Sequence, residues 1–177
     1  MTARSIVITA CCVLATALSA CATQSDVFLH TTHRTRYAIQ AEEFDRLQLY
    51  LSREILAHAD DAGATPAPAD VIIVAAGTPG LAIEAGPRWL RVAFQSGGPG
   101  VYFLASNQGT DSAYLLATPR PGGEGLVRVK DLPEPVLVQE GRTYRIQYGG
   151  DAYLRADTGD LADLIKSRPR PAGLERE

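Results

Sequence analysis

Two of the chain's three histidines lie close together, as His30-Thr31-Thr32-His33, and could offer imidazoles to a metal. A closed site needs further Cys, His or paired ligands, and the neighbouring sequence supplies none, so two solvated histidines are expected and no metal is assigned. His58 falls on an apolar stripe near a helix end, where a structural or capping role fits better than catalysis. Asp157, Asp160 and Asp163 are spaced by three, yet they lack the alternating oxygen ligands and terminal Glu of an EF-hand loop, and helix capping is the expected use. The turn Gly97-Gly98-Pro99-Gly100 lacks the Gly-Lys-Ser/Thr ending of a phosphate cradle and reads as a hairpin connection. No Gly-x-Ser-x-Gly elbow is present and no serine is marked as activated. A carboxylate pair for glycoside cleavage is a matter of three-dimensional separation, which the sequence leaves open. This inventory points to a chain that is not an enzyme and needs no cofactor.

The elements that must position these residues fall into an α half and a β half. Residues 41–59 contain no Gly or Pro, and Phe44, Leu47, Leu51, Ile55 and His58 recur every three or four positions, which predicts an amphipathic helix. Glu42, Glu43 and Asp45 suit its positive end. A short strand over 36–39 precedes it, and the Ala-, Pro- and Asp-rich stretch 60–70 follows it as a connector. Short strands are then expected at 71–76, 81–84, 89–95, 101–105, 113–117, 126–130, 143–148 and 153–156, with turn signals between them. Leu90, Val92 and Phe94 share one face, as do Tyr144, Ile146 and Tyr148. A short terminal helix over 160–166, capped by Thr158 or Asp160, completes the domain. The expected fold is α+β: an amphipathic helix packed on a small antiparallel barrel or sandwich, an SH3-like barrel being one form of it.

The first twenty residues read as a cleaved signal, with Arg4 in the positive start and an apolar run over 6–18. Its end, Leu18-Ser19-Ala20-Cys21, resembles the bacterial lipobox at every position. That resemblance implies cleavage between Ala20 and Cys21, a diacylglycerol on the Cys21 thiol and an acylated new amine. Two or three acyl chains give stable anchoring, and Ala22 after the cysteine favours the periplasmic face of the outer membrane. Cys11 and Cys12 leave with the signal, so no disulfide can staple the mature domain. Residues 21–34 are then a lipidated tether, 35–167 one domain and 168–177 a disordered tail. The formal charge of −3, with both signs interspersed, argues against a nucleic-acid partner.

Several stretches resemble a group of uncharacterised bacterial secreted or lipid-anchored proteins: Leu47-Gln48-Leu49-Tyr50-Leu51-Ser52, Gly77-Thr78-Pro79-Gly80, Leu90-Arg91-Val92-Ala93-Phe94 and Gly141-Arg142-Thr143-Tyr144-Arg145. The resemblance implies a helix on a small barrel and carries no activity. The function expected is that of an outer-membrane lipoprotein acting as an accessory or scaffold through contacts with an envelope protein. The alternative is a module binding a peptide or envelope glycan in a barrel groove. Trp89 and Tyr102 lead the candidate contact residues, with Tyr114, Tyr148 and Tyr153 beside them. Trp89 lies opposite Leu90, Val92 and Phe94, where the helix 41–59 is expected to cover it.

Overall fold

The computed structural model describes residues 26–62, 67–106 and 112–167. The signal, the Ala20–Cys21 junction and the tail 168–177 lie outside them. Among the described residues, twelve strands form two antiparallel sheets. The strands are β1 (Asp26–Phe28), β2 (Leu49–Leu51), β3 (Ile55–Ala59), β4 (Val71–Val74), β5 (Pro79–Ala85), β6 (Trp89–Ala93), β7 (Val101–Ala105), β8 (Tyr114–Pro119), β9 (Leu126–Arg128), β10 (Val136–Gln139), β11 (Arg142–Tyr148) and β12 (Leu154–Asp157). The larger sheet runs β1-β12-β2-β5-β6-β7-β8-β9 and the smaller β10-β11-β3-β4. Two short helices, α1 (Thr31–Arg36) and α2 (Thr158–Lys166), complete the regular structure with a 3-10 turn at Ala41–Arg46 and two shorter ones.

The expected α+β architecture is overturned. Both sheets are open, neither closes into a barrel, and the helices are all short. No helix spans 41–59: the 3-10 turn ends at Arg46, and the chain continues as β2 and β3. The physical reason is a competing period of two. Leu47, Leu49 and Leu51 are fully buried while Gln48 and Tyr50 are half-exposed, and Ile55, Ala57 and Ala59 are buried in the same alternation. Neighbours in the two sheets supply the backbone partners that a helix would have found within itself. Leu51 N–H donates to Thr78 O at 3.2 Å, and Gly77 N–H donates to Leu51 O at 2.7 Å.

Two further expectations change at the N-terminal side. Residues 36–39, expected as a strand, form the end of α1 at Arg36 and the turn after it instead. Asp26 onward, expected as tether, belongs to the fold: β1 pairs with β12 from Asp26↔Asp157 to Phe28↔Arg155. The shared face of Tyr144, Ile146 and Tyr148 also breaks, because a bulge between Ile146 and Tyr148 shifts the register and leaves Tyr148 67% exposed. The buried faces of both sheets form one core, including Phe44, Leu49, Leu51, Ile55, Leu90 and Phe103. Along one side the sheets lean together, where Val138 N–H of β10 donates to Thr118 Oγ1 of β8 at 2.8 Å.

Candidate functional site

The other side stays open, and a groove forms there. Among the described residues β4 pairs only with β3, from Ile55↔Val74 to His58↔Val71, so its second edge faces the gap without a strand partner there. Edge strands are normally blunted by a lysine, a proline, a bulge or shortness. The outermost strands β1 and β9 have three residues each, and β10 is turned against β8. The run Val71-Ile72-Ile73-Val74, four residues long, carries no lysine, proline or bulge. Ile72 and Val74 pack onto the core, while Ile73 is 60% exposed.

All of β4 lines a groove of about 680 Å³ whose far wall is Phe94, Pro99 and Val101. That wall is the glycine turn after β6. Gly100 has φ +70, and a Cβ there would lie 2.8 Å from the Ile83 side chain, so no other residue type fits without displacement. Arg91 Nε donates to Pro99 O at 2.7 Å and holds the turn against the larger sheet. The glycine run expected as a plain hairpin connection is therefore also a groove wall.

An arginine fixes the strand's entry. Arg142 of β11 reaches Asp61 and Asp70, each at 2.7 Å, and Ala69 O at 3.2 Å, tying both ends of the connector before β4. The two carboxylates raise the guanidinium pKa above its ordinary value. The Ala67 N–H, at 2.8 Å, and then Arg142 hold the Asp70 carboxyl below the usual carboxylate range.

Trp89 and Tyr102 do come together, on the outer face of the larger sheet. Their rings meet edge to face at a centroid distance of 5.7 Å. The Arg91 guanidinium sits 5.4 Å over the Tyr102 ring, and Trp89 pairs across with Leu104. The covering helix does not exist, so Trp89 remains half-exposed, resting on Gly86, where a Cβ would lie 2.1 Å from the indole nitrogen. Tyr114 is fully buried in the core, and Tyr153 packs against Phe28 at 4.8 Å, so these aromatics line no common groove.

The remaining candidates are dispersed. His33 Nδ1 accepts the His30 N–H at 3.2 Å at the start of α1, and His58 lies on β3 rather than on a helix. Asp157, rather than Thr158 or Asp160, caps α2, its carboxylate accepting from Gly159 N–H at 2.7 Å and Asp160 N–H at 3.1 Å. Asp160 instead accepts the Gln48 N–H at 2.7 Å, and Asp163 pairs with Lys166. The sequence reading missed Ile72, Val74 and Phe94 as site residues. The signal for Ile72 and Val74 was an unbroken β-branched run with apolar side chains on both faces of a strand. No family model, no curated protein and no solved structure matches the chain.

Proposed function

We propose that the chain is a lipid-anchored envelope protein, not an enzyme, that binds an extended polypeptide segment of a partner by strand addition along β4. The observation that carries this reading is the unprotected, wholly apolar edge of β4 lying along the groove. An edge without a strand partner among the described residues calls for another main chain, and a groove lined by β4, Phe94, Pro99 and Val101 calls for apolar side chains at alternate positions of the guest. A glycan is disfavoured, because this lining has a single aromatic, Phe94, and no charged side chain. Anchoring rests on the lipobox-like end at Cys21. Only residues 22–25 separate that cysteine from β1, and the chain from Cys21 to Asp26 extends to at most about 18 Å, so the domain would sit close to the bilayer.

A synthetic peptide alternating Val and Thr, and the same peptide with alternate amides N-methylated on one edge, test the binding mode with the full chain. The unmodified peptide should bind and slow amide exchange in β4, and the methylated one should not. Ile73→Lys, a change at an exposed position, should abolish binding without unfolding the protein. Equal binding of both peptides, or of neither, refutes strand addition. The anchor is tested separately: Cys21→Ser should lose incorporation of a palmitate analogue and leave the membrane fraction, and retention of the label overturns it.

A further inference from the structure

A second group of side chains, at the Trp89 end of β6 and away from the groove, is built of donors that have no counter-charge among the described residues. Arg34 of α1 donates through Nη1 to Gly86 O and, at 3.0 Å, to Pro87 O, which fixes its guanidinium beside the β5–β6 turn and 5.1 Å from the Phe44 ring centroid. Arg88 follows that turn directly. Its carbonyl accepts from Ala105 N–H at 2.9 Å, and Ala105 pairs across to Tyr114, so Arg88, just before β6, lies in line with Ala105 of β7 and Tyr114 of β8. Arg88 Nε is buried without a hydrogen-bond partner. Tyr114 is fully buried, and its hydroxyl proton has no acceptor. Burial pushes the phenol pKa up, and hydrogen bonding from the Arg34 guanidinium, followed by the charges of Arg34 and Arg88, pulls it back. Among the described residues no carboxylate pairs with either arginine.

We propose that Arg34 and Arg88 hold a small oxyanion, a carboxylate or a phosphate group, with the Tyr114 hydroxyl closing the site from within. A guanidinium N–H can only donate and the protonated phenol can donate, so the missing complement is an acceptor. Two positive charges with no carboxylate partner among the described residues, in a half-buried setting, make that acceptor an anion rather than a neutral group. The proposal is independent of strand addition, because it uses no residue of the groove.

Sodium phosphate and sodium acetate, each added to the full chain in detergent micelles at constant ionic strength against chloride, are the probes. Trp89, the single tryptophan, rests on Gly86, whose carbonyl accepts from Arg34, so its emission reports the site directly. Either anion should raise the melting temperature in a saturable way and shift Trp89 emission over the same concentration range. A response to phosphate alone identifies a phosphate site, and a response to acetate a carboxylate site. Arg88→Met should remove both responses while keeping the far-UV spectrum, and Tyr114→Phe should weaken the midpoint about tenfold. Should Arg88→Met fail to fold, Arg34→Met makes the same test. No response to either anion, or an Arg→Met variant that responds like the parent chain, overturns the proposal.

Discussion

Gly86 and Trp89 should behave as one energetic unit. Trp89 is half-exposed on the outer face of the larger sheet, in edge-to-face contact with Tyr102. A fully buried tryptophan truncated to alanine costs about 3–5 kcal/mol, and half that burial brings the cost of Trp89→Ala to about 2 kcal/mol with the aromatic pair included. For a domain of this size that lowers the melting temperature by about 4–8 °C. An alanine at Gly86 would place its Cβ 2.1 Å from the indole nitrogen and 2.3 Å from the adjoining ring carbon, with no other group nearer. Gly86→Ala must therefore push the indole off its seat and lose much of the same 2 kcal/mol. Once Trp89 is alanine the obstruction is gone, and the double variant should be no less stable than Trp89→Ala alone. The coupling energy is then about 1–2 kcal/mol in the relieving direction. Urea denaturation followed by far-UV circular dichroism measures all four proteins without relying on the tryptophan that two of them lack. Additive costs within about 0.5 kcal/mol would show that Gly86 matters for its backbone and that Trp89 does not rest on it.

Other substitutions probe the frame around the groove. Gly149→Ala should cost about 3 kcal/mol or more, because Gly149 has φ +80 and its Cβ would lie 2.1 Å from the Glu54 carbonyl oxygen. Gly77→Ala, at φ +74 with open space around it, should cost only about 1 kcal/mol, and equal urea midpoints for the two would refute the steric reading. Leu51→Ala removes a fully buried side chain between the sheets and should cost about 3 kcal/mol, read as a calorimetric shift of about 6–12 °C. Asp70 has a lowered folded-state pKa, so its contribution is present above the ordinary carboxylate range and is lost as pH falls through the folded value. The melting-temperature gap between the parent and Asp70→Asn should accordingly be widest near about pH 6 and close toward about pH 2, and a constant gap would refute the Ala67 and Arg142 contacts as its source.

Some of this architecture was legible before any coordinates. Leu90 and Val92 against Trp89 and Arg91, and Val101, Phe103 and Ala105 against Tyr102 and Leu104, alternate as the structure buries them, because side chains on a strand answer to a fixed local period. The helix α2 was legible for a similar reason, since its stripe of Leu161 and Leu164 lies within one short segment, although its cap is Asp157 and not Thr158 or Asp160. Residues 41–59 misled because Leu47, Leu51 and Ile55 satisfy a spacing of four and a spacing of two at once. The turn at 52–54 that breaks the run has no Gly or Pro of its own. Its close approach is made possible by Gly149, almost a hundred residues later, whose missing Cβ leaves room for the Glu54 carbonyl. Local sequence determined which residues prefer to be buried and how each strand presents them. Only the tertiary structure decided that Val71-Ile72-Ile73-Val74 would end a sheet rather than lie inside one. An apolar run is equally content with a strand on both sides or on one, and whether the second partner arrives depends on how the distant strands β8 and β10 close the opposite side.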